Sequence, residues 1–203
     1  MPERVDQEFE DASFDSYDLY EAVMRNCRFT RCTFRDADLE EAVTRACWFI
    51  DCDFSGARLN SSRHDVSAFT TCRFASADLQ SAHFEECKLT GSSFLDARMA
   101  GMTIRGGDWS YVNLYKADLR NRDLRGVRLA EATLESCNLE KADLRRADLT
   151  NANLRDARLR GVDLRESILD GIDLKSLTLR GVKLDIVGAI ALARSHEAVI
   201  DFE

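Results

Sequence analysis

The sequence predicts an all-β protein, a rod-shaped parallel β-helix built from units of five residues. From Phe9 to Leu184, every fifth residue is Phe, Leu, Met, Ile or Trp, except at Thr44 and His64. The residue two positions earlier is Ala, Cys, Ser, Gly or Val in 30 of the 36 units; the exceptions are Gln7, Tyr17, Met102, Arg122, Ile172 and Leu177. Each unit therefore points two side chains inward and three outward.

Neither common secondary structure explains this period. The stretch "ADLTNANLRDARL", residues 147–159, shows the pattern without interruption. On an α-helix a step of five residues turns the side chain by about 140°, so no apolar stripe forms. On a flat strand the same step places successive leucines on opposite faces. The period instead favours a chain that forms one side of a coil with each unit.

The phenylalanines indicate how many sides the coil has. They occupy two adjacent units of every four, at 9, 14, 29, 34, 49, 54, 69 and 74, which is a period of 20 residues. In a four-sided coil these rings form two ladders, and each stacked pair contributes about 0.5 to 1.5 kcal/mol beyond its buried area. The 36 units then make nine coils. At about 4.8 Å per coil, the rod is roughly 43 Å long.

The fivefold pattern ends at Leu184, which divides the chain into a repeat domain, 1–185, and a C-terminal segment, 186–203. Residues 186–195 have the apolar spacing of a short helix. A solenoid needs a cap because its last coil has unpaired backbone groups. This segment is also apolar enough to form a partner surface. A cap that only folds back on its own last coil is the alternative.

Composition excludes several classes of protein. The chain has 28 basic and 36 acidic residues, a net charge of -8, which argues against a partner held through nucleic-acid phosphates. No segment has the character of a signal peptide or of a membrane span of about 20 apolar residues. We therefore expect a cytoplasmic protein that contacts neither nucleic acid nor membrane directly.

Residues 1–100 carry all of the net negative charge, with 19 acidic and 11 basic residues. On a four-sided rod, six carboxylates would share one side with few compensating bases: Asp18, Glu21, Asp38, Glu40, Glu41 and Asp78. The second half has equal numbers of acidic and basic residues. Its arginine column (105, 125, 145 and 165) lies beside an aspartate column (123, 143 and 163), which predicts a neutralised solvent face.

The cysteines and histidines give little support for metal binding or catalysis. All seven cysteines, at 27, 32, 47, 52, 72, 87 and 137, occupy the small inward position, which favours packing over metal binding. At Thr44 and His64 a core histidine with satisfied hydrogen bonds is favoured over a bound water or ligand. No nucleophile pair or glycine-rich phosphate loop is present. We therefore predict a protein that is not an enzyme and has no metal or cofactor.

The stretch "ADLRRADLTNANL" matches the A-D/N-L-x-x pattern, and the chain resembles the pentapeptide repeat family over about nine tenths of its length. This resemblance implies a right-handed quadrilateral parallel β-helix. Three further stretches resemble the fluoroquinolone-resistance groups of the family, the mycobacterial MfpA type and the Qnr type: "CRFTRCTFRDADL", "LNSSRHDVSAF" and "KLDIVGAIALARSHEAV".

Members of these groups are DNA mimics that bind DNA gyrase, compete with its DNA segment and protect it from quinolones. The resemblance implies the same partner here, with the six carboxylates as the contact. Their spacing of about 4.8 Å is comparable with the phosphate spacing of a DNA strand, about 3.4 Å. Because no loop projects from this rod, inhibition of gyrase is a safer expectation than drug protection. A scaffold that binds another basic protein is the alternative.

The resemblance also implies a symmetric dimer through the C-terminal ends. The predicted interface is the apolar set Leu184, Ile186, Val187, Ile190, Leu192, Val199, Ile200 and Phe202.

Overall fold

The computed structural model describes residues 3–201, which form a right-handed quadrilateral parallel β-helix. Four units make one coil, so each residue pairs with the residue 20 positions later, as Phe9 does with Phe29. Backbone hydrogen bonds connect successive coils, for example from Phe14 N–H to the Thr33 carbonyl at 2.7 Å. The predicted four-sided fold is confirmed.

Ten three-residue strands form two parallel sheets, one of six strands in the order β1-β3-β5-β7-β9-β10 and one of four in the order β2-β4-β6-β8. Their bounds are β1 Glu3–Val5, β2 Glu8–Glu10, β3 Val23–Arg25, β4 Arg28–Thr30, β5 Val43–Arg45, β6 Trp48–Ile50, β7 Arg63–Asp65, β8 Ala68–Thr70, β9 His83–Glu85 and β10 Thr103–Arg105. At most other positions the coils pair through single-residue bridges.

We number the four faces in chain order, starting at Phe9, so β1 lies on face 4. Face 1 contains the four-stranded sheet, and face 4 contains the six-stranded sheet. Face 2 points Phe14, Phe34, Phe54 and Phe74 inward, and face 3 points Leu19, Leu39, Leu59 and Leu79 inward.

Each corner is turned by a residue with positive φ, two positions after the large inward residue. Most of these residues are not glycine, as at Asp36 with φ 55° and Glu41 with φ 57°. The left-handed conformation costs roughly 1 to 2 kcal/mol for an L-residue. Hydrogen bonds to the next coil offset this strain, such as the one from Asp36 N–H to the Ser55 carbonyl at 3.1 Å.

The two phenylalanine ladders run through the N-terminal half of the core. Phe29 and Phe49 stack with ring centroids 4.8 Å apart, and Phe34 and Phe54 at 4.7 Å. Rings of the two ladders meet edge to face, as Phe29 and Phe34 do at 5.4 Å. The Arg4 guanidinium lies 5.4 Å from the centroid of the first ring, Phe9, and so covers the end of the ladder. The predicted ladders are confirmed.

His64 occupies a large inward position of face 4, and both of its ring nitrogens are hydrogen-bonded. Nδ1 lies 2.8 Å from Thr44 Oγ1, and Nε2 lies 2.9 Å from Ser62 Oγ. Ser62 Oγ donates to the Leu59 carbonyl at 2.6 Å, so it accepts a hydrogen bond from Nε2–H. Thr44 then donates to Nδ1 of a neutral ring. The prediction of a core histidine with satisfied hydrogen bonds is confirmed.

The coils separate on faces 3 and 4 between residues 97–106 and residues 117–126, a break that we call the split. On face 3 no bridge joins Arg98 to Asp118, and on face 4 the six-stranded sheet ends at β10 within the described residues. Faces 1 and 2 remain paired at this level, for example through Asp108. Only two of the four faces connect the halves of the rod here.

Two large side chains explain the split. At the small inward position of face 4, earlier coils carry Ala or Ser, at 22, 42, 62 and 82, whereas the coils that border the split carry Met102 and Arg122. Met102 is buried, and Arg122 Nη2 donates to the Met99 carbonyl at 3.0 Å. Partial burial lowers the pKa of Arg122. These side chains need more room than a regular inter-coil contact provides.

The C-terminal end carries a short 3-10 helix, Leu174–Ser176, and then the helix α1, Ile186–Ser195. Asp185 caps α1, since its Oδ1 accepts from Gly188 N–H at 2.8 Å. Leu184 and Leu192 pack against the core, so α1 covers the last coil. No helix in the described part of the chain is long and apolar enough to cross a membrane.

Replacing both large side chains (Met102→Ala with Arg122→Ala) is expected to close the split. The N–H groups of Ile104 and Gly106, which have no backbone acceptor among the described residues, should then exchange about tenfold more slowly with deuterium. Arg120→Gln, an outward change on face 3, serves as the control with unchanged exchange. Equally fast exchange in the double variant would mean that another feature separates the coils.

A pH dependence of stability is expected from His64. Burial, with a smaller contribution from His83, lowers the pKa of His64 from 6.5 to about 3. Below pH 6.5 the unfolded chain therefore binds a proton that the folded chain excludes. The free energy of unfolding falls by about 1.4 kcal/mol per pH unit as the pH drops through this range.

The test compares urea unfolding of wild type and His64→Phe between pH 6.5 and 5. The His64 and Phe84 ring centroids are 4.6 Å apart, and a phenylalanine at position 64 retains this ring contact. We expect the substitution to remove about 1.4 kcal/mol per pH unit from the pH dependence of the unfolding free energy. His196→Gln, at an exposed position, is the control. Identical pH dependence in wild type and His64→Phe would contradict a neutral buried ring.

Candidate partner-binding surfaces

Face 3 places five of the six predicted carboxylates in two adjacent coils. Asp18 and Asp38 form a bridged pair at the outward position, and Glu40 follows on the same face. Glu21 and Glu41 stand at the adjoining corner, with φ of 52° and 57°. We call these five residues the acidic patch. The sixth carboxylate, Asp78, lies two coils beyond Asp38.

Arginines interrupt the strip beyond this patch. Arg58, which stacks between Asp38 and Asp78, places Nη2 2.8 Å from Asp38 Oδ2 and 3.1 Å from Glu40 Oε2. Arg98 pairs with Asp78 at 2.5 Å. The expectation of few compensating bases is therefore wrong for this column, because one extended arginine side chain reaches carboxylates of the neighbouring coil.

The patch nevertheless has a negative local potential. The charges of Glu21 and Glu41 raise the pKa of Tyr20, which lies beside them on face 3. Asp18, Glu21 and Glu41 form no ion pair within residues 3–201. The acidic surface is thus compact and lies near the N-terminal end of the rod.

On face 4 the second half of the rod carries a neutralised ladder, as predicted. Arg145 Nε donates to Asp143 Oδ1 at 2.9 Å, and Nη2 donates to Asp143 Oδ2 at 2.6 Å. The same two-point pairing links Asp123 with Arg125 and Asp163 with Arg165. It lowers the pKa of Asp163 to about 2, with the Arg165 hydrogen bond as the largest cause. Charges held in this way leave little potential for a partner.

The C-terminal end carries an exposed apolar surface. Ile186 is 79% exposed, Val187 72% and Val199 97%. Ile190 and Ile200 are half-buried. Leu184 and Leu192 contact the core instead, and Phe202 lies outside the described residues. The described residues of the predicted interface thus fall into two groups. Some pack against the core and cap the rod, and the others form an exposed apolar surface at its end.

All seven cysteines are buried and free, at the predicted inward positions. Cys137 Sγ donates to the Leu114 carbonyl at 2.7 Å, and burial raises the pKa of the Cys137 thiol to about 12. Burial likewise raises the pKa of Cys47 to about 11. Among residues 3–201 no group of three or more His, Cys, Asp or Glu side chains could hold a metal ion. The cysteines act as packing residues.

Comparison with known proteins relates this geometry to solved structures. Three structures of QnrB1, each described as a plasmid-mediated fluoroquinolone resistance protein, superimpose over 97–98% of this chain. A trypsin-treated M102R form has a TM-score of 0.86 at 23% identity, covering 98% of this chain and 99% of that one. The full-length form has a TM-score of 0.74 at 21% identity, covering 97% and 100%. At these identities the likeness is one of fold.

No curated protein sequence matches this chain significantly. The family model for pentapeptide repeats matches 8 copies, over residues 8–43, 69–106, 113–151, 128–166 and 152–185. With this match, a 20-residue register and four five-residue units in every coil, the chain belongs to the pentapeptide repeat family.

Proposed function

We propose that this protein is a non-enzymatic DNA mimic that binds DNA gyrase, competes with its DNA segment and inhibits it, with protection from quinolones as a consequence. The observation that supports the proposal is the acidic patch, displayed on a rod whose coils are hydrogen-bonded to one another. The fold likeness to QnrB1 and the resemblance to MfpA-type proteins favour gyrase over other basic partners.

The spacing of the patch suits a surface that binds DNA. Asp18 and Asp38 are one coil apart, about 4.8 Å along the rod, near the phosphate spacing of about 3.4 Å along a DNA strand. Backbone hydrogen bonds fix this spacing, so little conformational entropy is lost when a basic surface binds. Complementary charge also accelerates the encounter.

We further propose a dimer through the exposed part of the C-terminal surface. Ile186, Val187 and Val199 are exposed side chains at one end of a rod whose sides are largely polar. Apposition of two such ends would remove them from water, at about 25 cal/mol per Å² of buried apolar area. The acidic patches would then lie at the two far ends of a double-length rod, so gyrase contact would involve its arms rather than its centre.

One observation favours a second function, that of a scaffold for another basic protein. Arg58 and Arg98 shorten the acidic surface to two coils. A surface of that length fits a small basic segment as well as it fits part of a DNA channel.

Charge reversal in the patch tests the first proposal. Glu21→Lys with Glu41→Lys changes two unpaired corner residues, and we expect at least tenfold weaker inhibition of gyrase supercoiling, about 1.4 kcal/mol, with less salt dependence. The matched control, Glu131→Lys with Asp156→Lys, changes net charge equally at corners of similar φ, 59° and 56°. It should inhibit like wild type.

Equal loss in both pairs would mean that net charge alone matters and would contradict the acidic patch. Failure of the wild type to inhibit at micromolar concentration would favour the scaffold.

The dimer is tested by light scattering after size exclusion. Wild type should elute at twice the chain mass of 23.0 kDa, and Ile186→Asp with Val187→Asp should give monomers, because both side chains are exposed in one chain. Val66→Asp is the control, since Val66 is 65% exposed on the side of the rod. A monomeric wild type would overturn the dimer.

A further inference from the structure

We propose that the split holds a phosphate-class oxyanion, either inorganic phosphate or a phosphate monoester. The site is a groove of about 720 Å³ on face 4, between β10 and the coil that follows it. Four arginines line it, at 105, 125, 145 and 146, together with the carboxylates of Asp123 and Glu166. Three of these arginines are already paired, Arg125 with Asp123, Arg145 with Asp143 and Arg146 with Glu166. The fourth, Arg105, is the one left for a ligand.

Arg105 is the guanidinium available to a ligand. In its column, Arg125, Arg145 and Arg165 each pair with an aspartate two residues earlier. The residue two positions before Arg105 is Thr103, and Arg105 forms no ion pair with any residue in the range 3–201. Glu85 on β9 is the neighbour of Arg105 in the sheet, but the two side chains form no ion pair. The planar fork of a free arginine matches two oxygens of a phosphate.

Backbone donors lie beside this guanidinium. Ile104 and Gly106 on one wall, and Asp123 on the other, have N–H groups without a backbone acceptor among the described residues. In regular coils the equivalent N–H groups donate to the neighbouring coil, as Leu124 N–H does to the Asp143 carbonyl at 2.8 Å. A row of free N–H groups next to an arginine is an arrangement that binds oxyanions.

Glycine keeps the groove accessible. A Cβ at Gly126 would meet no heavy atom within 4 Å. At Gly106, the preceding residue of the same corner column, a Cβ would clash with Glu86 Oε1, so the Glu86 carboxylate borders this end of the groove. A ligand can therefore approach from the Gly126 side without displacing protein atoms.

The acceptors in the groove favour an oxyanion that still carries a proton. The Asp123 and Arg125 carbonyls receive no backbone hydrogen bond within residues 3–201, and the Asp123 carboxylate is 59% exposed. Phosphate near neutral pH keeps an O–H group that can donate to such acceptors, whereas sulfate has none. The site should therefore discriminate phosphate from sulfate.

Titration of the full chain at pH 6.5 and constant ionic strength, by calorimetry and thermal unfolding, tests this site. We expect inorganic phosphate to bind and raise the unfolding temperature, and sulfate to bind at least tenfold more weakly. Phenyl phosphate, a monoester whose second pKa is about 6, should bind like phosphate in a parallel titration at about pH 5, where it keeps its O–H group. Equal binding of phosphate and sulfate would overturn the proposal, as would no binding at millimolar concentration.

Arg105→Gln should weaken phosphate binding at least tenfold. The side chain is exposed, so the variant should fold, which the unfolding curve without ligand checks. Arg165→Gln is the matched control, because it lies in the same column but outside the groove lining, and it should bind phosphate like wild type. Wild-type affinity in Arg105→Gln would overturn the assignment. These outcomes do not depend on gyrase inhibition.

Discussion

Backbone hydrogen bonds between coils, in a fixed register of 20 residues, are the constraint on which the other features depend. Each coil donates to and accepts from its neighbours, so a residue's closest partners lie one coil away, as Thr33 does from Asp53. This register turns outward side chains into columns and inward rings into ladders. Each column of surface side chains therefore consists of residues that are 20 positions apart in the sequence.

The register is interrupted where inward side chains no longer fit it. The phenylalanine ladder on face 2 ends at Phe94, which stacks on Phe74 at 4.7 Å, and leucine dominates the core from Leu114 onward. Met102 and Arg122 stand near this transition. The same two side chains that disturb packing leave backbone donors free, so the split and the phosphate site that we propose in it have one physical origin.

The residue two positions after each outward aspartate decides where negative charge on the surface remains unpaired. In the second half, Asp-Leu-Arg puts an arginine within reach of its own aspartate, as in Asp143 and Arg145. In the first half the third residue is Tyr20 after Asp18 and Glu40 after Asp38. A carboxylate without its own arginine depends on a base in the next coil. Asp38 has one in Arg58, and Asp18 has none among the described residues.

The sequence by itself determined the period, the four sides, the phenylalanine ladders and the helix at 186–195, because each is a one-dimensional repeat or the end of one. It also identified Met102 and Arg122 as exceptions to the small inward position. Only the tertiary structure decided that these exceptions separate the coils, and that Arg58 reaches both Asp38 and Glu40. The physical reason is that side-chain reach and packing volume between stacked coils depend on contacts in three dimensions, which a period cannot specify.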